Sequence, residues 1–275
     1  MRRLLSILLA LLLAVALLGG WGYRNARADP LVRRARIAMP GWPRDAAPIT
    51  VVLLSDVHAG NRVVDDERLS RIVGQITALQ PDLILIAGDF FPGHDPVGMA
   101  EAKRRLAPLR QLRAPLGVVA VPGNHDHWTG LPAVRAALTA AGIPLLANTA
   151  ARRGPLAIGA LDDAFSAHAD VAATVAALRR LPGPRLVLTH SPDISARLPA
   201  DVPLVLAGHT HCGQVVLPGL GSLADGRYYD PKYRCGIARM GRQAVIVSAG
   251  LGGSLPIRFG APPDLWLLTL GPGVR

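Results

Sequence analysis

Five apolar runs in this chain end in aspartate, asparagine or histidine. Residues 51–54 lead into Ser55-Asp56-Val57-His58, 83–87 into Gly88-Asp89, and 116–121 into Pro122-Gly123-Asn124-His125-Asp126. Residues 185–188 lead into Thr189-His190, and 204–207 into Gly208-His209-Thr210-His211. Short apolar runs bounded by turn residues read as buried strands. A fold that sets such strands side by side collects their polar ends at one edge. Those ends carry carboxylate, amide and imidazole donors, so we expect them to surround a pair of metal ions.

Helical patterns separate the first runs. Residues 63–79 repeat Leu69, Ile72, Val73, Ile76 and Leu79 at helical spacing, after a start marked by Asp65-Asp66-Glu67. The pattern also predicts helices over 97–112, 132–141 and 169–181, and a loop over 90–96. Further strands are expected over 143–146, 156–161, 215–217, 244–248 and 265–270. Strands alternating with helices imply an α/β fold with a parallel or mixed sheet under helices, and the β-rich tail implies a second sheet packed on the first.

Arg2-Arg3 precede Leu4 to Tyr23, 20 residues without a charge. As a helix that run is about 30 Å long, enough for a bilayer core. Trp21 and Tyr23 close it, as interfacial aromatics do. We read residues 1–28 as a membrane anchor; a signal peptide cleaved near Ala26-Arg27-Ala28 is the alternative. Arg2-Arg3 favour an inside N-terminus and an exported domain at the inner membrane. Arg24, Arg27, Arg33, Arg34 and Arg36 load the other flank and argue the reverse. Residues 29–48, with four prolines, read as a linker that becomes an edge strand near 31–37. The catalytic domain is expected over 49–275.

The net charge of +11 is almost wholly arginine, since the only lysines are Lys103 and Lys232. That balance favours anionic partners. The arginines are scattered rather than interleaved with aromatics, so no nucleic-acid partner is expected. A monomer is expected. Cys212 and Cys235 form no Cys-x-x-Cys pair, which excludes a zinc knuckle. One disulfide, a thiol beside the metals, or two small buried side chains all stay open.

Each donor taken singly has an ordinary reading. A histidine after a strand is usually a hydrogen-bonded structural residue, an aspartate after glycine is commonly a turn, and Asn124-His125-Asp126 would serve as a helix cap. Jointly the case differs, because five of the eight histidines, with Asp56, Asp89 and Asn124, all lie just beyond apolar runs. Side chains at i and i+2 of an extended segment point the same way, so Asp56 and His58 can share one ion. Mixed oxygen and nitrogen donors suit Mn, Fe or Zn better than Ca or Mg. His94, His127 and His168 lack this placement. Adjacency puts His127 and Trp128 beside the cluster, and the loop after Asp89 makes His94 a candidate substrate contact.

Asp56-x-His58, Gly88-Asp89, Gly123-Asn124-His125-Asp126, His190 and Gly208-His209-Thr210-His211 resemble, in order, the five-block signature of the calcineurin-like metallophosphoesterases. The tail from Gly250 to Arg258 is similar to that of the family's membrane-anchored bacterial branch. Cys212 stands where a glycine often follows the last histidine. The resemblance implies a four-layer α-β-β-α sandwich of two mixed sheets flanked by helices, and two divalent metal ions. By it, Asp56, His58, Asp89 and His211 would hold the first ion. Asp89 would bridge, and Asn124, His190 and His209 would complete the second. His125 would face the leaving group, oriented by Asp126. The implied reaction is phosphoester hydrolysis by a hydroxide generated between two cations. Anchor and basic charge point to a membrane lipid or cell-envelope phosphodiester. The alternatives are a pyrophosphate of the UDP-2,3-diacylglucosamine type and a non-catalytic metal-binding interaction protein.

Overall fold

The structure is a computed structural model that describes residues 2–222 and 225–273. In chain order it runs α1 (Arg2–Ala26), β1 (Leu31–Ala38), β2 (Ile49–Leu54), α2 (Asp66–Ala78), β3 (Leu83–Ala87), α3 (Met99–Arg105), β4 (Val118–Val121), α4 (Asn124–Thr129) and α5 (Leu131–Ala140). It continues through β5 (Thr149–Arg153), β6 (Leu156–Ala160), α6 (Val171–Arg179), β7 (Arg185–Leu188), β8 (Leu204–Ala207), β9 (Val216–Leu217), β10 (Gly221–Ser222), β11 (Gly236–Met240), β12 (Gln243–Val247) and β13 (Asp264–Gly271).

Two mixed sheets carry the fold. The first has strand order β1-β13-β2-β3-β4, and the second β11-β12-β8-β7-β6-β5. In the first, β2, β3 and β4 are parallel neighbours, and β13 runs antiparallel to β2. In the second, β6, β7, β8 and β12 are parallel, with β5 and β11 antiparallel at its edges.

Side-chain alternation along each strand builds three apolar layers. Val51, Leu53, Leu83, Leu85, Val119 and Val121 point toward Ile158, Leu186, Leu188, Leu204, Leu206 and Ile246 of the other sheet. The intervening Val52, Leu54, Ile84 and Ile86 face Leu69, Ile72, Val73 and Ile76 of α2 and Val134 and Leu138 of α5. On the far side Ala157, Val187, Val205 and Val245 meet Leu178 of α6. The layer order is therefore α-β-β-α. Strands covered on both faces need no polar alternation, which is why they read as unbroken apolar runs.

Differences from the sequence expectations have local causes. The helix expected over 97–112 stops at Arg105, and residues Ala107–Gln111 form a 3-10 turn. Pro108 has no N–H to donate to Arg104 and its ring crowds that carbonyl. The strand expected over 143–146 is reduced to one parallel bridge between Ala120 and Leu145. β5 and β11 are additional strands; both are sheet edges, partly exposed and carrying arginine. The edge strand expected near 31–37 is present as β1, which pairs in parallel with β13 from Leu31 to Ala38.

Candidate metal centre

The parallel strands β2, β3 and β4 of one sheet and β7 and β8 of the other end at a common edge. Backbone bonds stitch these ends together. Asp56 N–H donates to Gly88 O at 2.9 Å, His58 N–H to Asp89 O at 3.0 Å, and Gly208 N–H to His190 O at 3.0 Å. Across the two sheets, His209 N–H donates to Asp56 Oδ2 at 3.1 Å. The turns that follow are tight. Of ten described non-glycine residues with positive φ, five are Asp56, His58, Asp89, His209 and His211. Such conformations cost free energy and persist where the surroundings impose them, often at functional sites. Gly250, at φ +74°, lets the tail pass so close that a Cβ there would sit 2.5 Å from the Asp56 Cβ.

The side chains converge. His190 Nε2 lies 3.1 Å from Asp89 Oδ2 and 4.0 Å from Asp56 Oδ1. His58 Nε2 lies 3.8 Å from Asp89 Oδ2, and His211 Nε2 3.6 Å from Asp56 Oδ1. His209 Nδ1 is 3.3 Å from His190 Nε2. Asp56, His58 and His211 present donor atoms within 4.8 Å of one another, as do Asp56, Asp89 and His190, and His58, Asp89 and His125.

The donor set fits divalent cations. Asp56 Oδ1, His58 Nε2, Asn124 Oδ1 and His209 Nε2 are buried without any hydrogen-bond partner among the described residues. Unsatisfied buried polar atoms are costly, and these four, all at the strand ends, are donors that a divalent cation would satisfy. Two donors held at about 2.0–2.2 Å by one cation come about 3–3.5 Å apart, close to the observed spacings. Burial pulls the His58 imidazole down to about 3 and that of His209 down to about 4. Burial also holds His211 well below its ordinary value. All three are then neutral at pH 7, with a lone pair to offer. Burial pushes the Asp56 carboxyl up to about 6, with the nearby His190 opposing and Asp89 adding to the rise. At Asp89 burial works upward too, but the His190 charge and hydrogen bond outweigh it and hold that carboxyl well below the usual range. His190 Nδ1 meets Ala87 O at 2.6 Å, which fixes Nδ1 as the donor and leaves Nε2 facing Asp89.

His125 and Asp126 do not pair as the family resemblance implied. His125 Nδ1 contacts Gly93 O at 2.6 Å. Asp126 instead accepts backbone N–H groups from Asp89 at 2.9 Å, Phe90 at 2.8 Å and Gly123 at 2.9 Å. The reason is helix geometry. α4 starts at Asn124, so Asp126 occupies its first turn; its carboxylate turns back to the Gly123 N–H at the helix start and reaches across to the Asp89 and Phe90 N–H groups of the loop after β3. Burial and the Asp89 charge push its carboxyl up to about 7.

Around this cluster stand groups that the strand-end pattern did not single out. His94 stacks on Trp128 with ring centres 4.4 Å apart, and Trp128 lies edge-on to His125 at 4.9 Å. Phe165 lies 4.6 Å from His209. β6 is followed by Asp162 and Asp163, a sixth strand end in the same style. Asp162 Oδ1 meets His127 Nε2 at 2.8 Å, and Asp163 Oδ1 accepts from Ser191 Oγ at 2.7 Å. Buried Arg258 donates to the carbonyls of Ala249, Gly252 and Ala261, holding the tail loop against Asp56. Of the three states left open for Cys212 and Cys235, the structure holds the disulfide, directly after His211.

Known proteins are similar to this chain in sequence. Residues 49–213 match the model of the calcineurin-like phosphoesterase family. The chain is 30% identical over 264 residues to the uncharacterized metallophosphoesterase YkuE of Bacillus subtilis, covering 92% of this chain and 90% of that one. It is 29% identical to the phosphodiesterase YaeI of Escherichia coli, covering 93% and 94% of the two chains. A Danio rerio transmembrane protein with a metallophosphoesterase domain is 27% identical, over 94% of this chain and 61% of that one. The family binds a dinuclear divalent metal site, and the N-terminal apolar helix together with the transmembrane relatives points to membrane association. The chain belongs to the calcineurin-like phosphoesterase family and is a metallophosphoesterase, an enzyme that hydrolyses phosphoesters.

Proposed function

We propose that this protein is a phosphodiesterase of the cell envelope, held in the inner membrane by residues 1–28 and joined through 29–48 to a catalytic domain over 49–275. The observation that carries the reading is the convergence of buried donors from five strand ends, those after three of the strands including atoms with no hydrogen-bond partner among the described residues. Asp56, His58, Asp89 and His211 would hold one divalent ion, and Asn124, His190 and His209, together with Asp89, would hold the second. Mn, Fe and Zn suit these donors. Bound there, the ions supply Lewis acidity toward the phosphoryl oxygens and lower the pKa of water.

The chain's own groups do the rest. The Gly93 carbonyl accepts a hydrogen bond from His125 Nδ1–H, which leaves Nε2 as the nitrogen for substrate. Protonated at both nitrogens, His125 donates the Nε2 proton to the departing alkoxide and keeps the Nδ1 proton on the Gly93 carbonyl. Asp126 keeps the Asp89 backbone in its strained turn. Trp128 and His94 form a flat wall beside His125.

A membrane lipid or envelope phosphodiester is the substrate class we favour. Support comes from α1, from the arginine-rich composition, and from the name of the phosphodiesterase relative. The Cys212–Cys235 disulfide supports a domain outside the cytoplasm, where disulfides persist. The test is hydrolysis of bis-p-nitrophenyl phosphate and p-nitrophenyl phosphate with Mn, Zn or Fe added and chelator as control. Faster metal-dependent release from the diester supports the reading; no metal-dependent release from either ester overturns it.

A further inference from the structure

The anchor helix is continuous with the catalytic domain. Ala26 is a core residue, 1% exposed. Gly22 packs so tightly that a Cβ there would lie 2.6 Å from the Phe259 ring. Gly22 O accepts from Arg258 N–H at 3.0 Å, Asn25 Nδ2 donates to Arg258 O at 3.3 Å, and Tyr23 Oη donates to Arg62 O at 3.0 Å. Trp21 and Phe259 meet edge-on at 5.3 Å. The exposed apolar stretch from Leu4 to Trp21 is about 27 Å long as a helix, against a hydrocarbon core of about 30 Å. No slack is left between span and domain. Whatever touches Gly22 therefore lies at headgroup depth.

What touches it is the loop that runs back to the metal centre. Gly252 N–H donates to Asp56 O at 2.8 Å, and Leu251 N–H to Ser55 O at 3.1 Å. Leu255 is three residues further on, within about 11 Å of chain, and is 53% exposed. Phe259, at the end of this loop, is bonded in turn to the β9–β10 hairpin: Phe259 N–H donates to Gln214 O at 3.0 Å and Val216 N–H to Phe259 O at 2.9 Å. The hairpin's turn carries Leu220, 80% exposed, the most exposed large apolar side chain outside α1 among the described residues. Leu217 beside it is exposed as well, and Arg24 and Arg62 flank the same helix end with exposed positive charge.

We propose that the β9–β10 hairpin and the 254–257 loop are a second membrane contact. Leu217, Leu220 and Leu255 enter the boundary between headgroups and acyl chains, and Arg24 and Arg62 meet anionic headgroups. The occupant of this surface is the lipid bilayer itself. The metal centre then opens at the level of lipid phosphates. The inference rests on the membrane-anchored reading above and is independent of which phosphoester is cut.

The test uses the full chain, disulfide intact, in phosphatidylethanolamine–phosphatidylglycerol nanodiscs. Nitroxides are placed singly through Leu220→Cys and Leu255→Cys, with Leu9→Cys in α1 and Arg180→Cys after α6 as references. Collision with oxygen and with a water-soluble nickel chelate reads depth at each label. The expected result is a nickel accessibility several-fold below that of Arg180→Cys at both loop sites, with oxygen accessibility between the two references. Nickel access equal to that of Arg180→Cys, while Leu9→Cys reads as hydrocarbon, overturns the proposal. An aqueous reading at Leu9→Cys overturns it together with the anchor. Turnover of bis-p-nitrophenyl phosphate in the same samples reports separately on the catalytic assignment.

Discussion

Asp126 Oδ2 accepts a hydrogen bond from the backbone N–H of Asp89 at 2.9 Å, so the loop after one strand holds the loop after its neighbour. The same carboxylate takes the N–H groups of Phe90 and Gly123. In Asp126→Asn the amide turns an NH2 toward donors that need an acceptor. We expect a loss of about 1–3 kcal/mol in stability, and less metal bound per chain. Denaturant unfolding and elemental analysis check both. Full metal content with an altered pH–rate profile would instead assign Asp126 to His125.

His125→Ala removes the proposed proton donor and leaves Asp56, His58 and His211 in place. It should keep its fold and its metal while kcat falls about 10²- to 10⁴-fold, the range for a lost general acid. Near-normal rates in the metal-loaded variant would refute the proton-donor role.

Gly250→Ala places a methyl group against Asp56, in a backbone conformation at φ +74° that alanine disfavours. The backbone strain alone is about 1–3 kcal/mol. Unfolding midpoints measured with and without metal should show the larger loss in the metal-loaded state, because the displaced side chain is a proposed ligand.

The metal-free protein should lose stability on acidification through its buried histidines. Burial lowers His58 from an ordinary 6.5 to about 3 and His209 to about 4. The unfolded chain therefore takes up these protons first. Their contribution is complete above about pH 6.5 and declines as the pH falls toward 3–4. His58→Asn, which has no such proton to take up, should show a smaller drop in melting temperature between pH 7 and pH 4.5 in chelator. An equal drop in both proteins would remove His58 from the account.

The strand ends were legible because each is a local event: an apolar run, a turn, then a donor within a few residues. Asp56, His58, Asp89, His190, His209 and His211 lie within a few ångströms of their neighbours in the cluster, and Asn124 is buried at the end of β4. What the pattern could not carry were contacts between distant segments. Asp126 reaches a backbone 37 residues away, and nothing in Asn124-His125-Asp126 distinguishes a helix-start acceptor from a partner of the imidazole. β5 and β11 stayed hidden because edge strands lack the second buried face that makes a strand apolar. Arg258 is legible only as a charge in a glycine-rich tail, yet it is buried and its guanidinium donates to the carbonyls of Ala249, Gly250, Gly252 and Ala261. The seating of α1 on Phe259 depends on a missing side chain at Gly22, which composition does not reveal.

Anomalous scattering from crystals grown with manganese tests the dinuclear centre most directly. The account predicts two peaks, one among Asp56, His58, Asp89 and His211 and one among Asp89, Asn124, His190 and His209, with Asp89 between them. A map without a peak among these side chains, or with manganese bound only elsewhere on the chain, would contradict it.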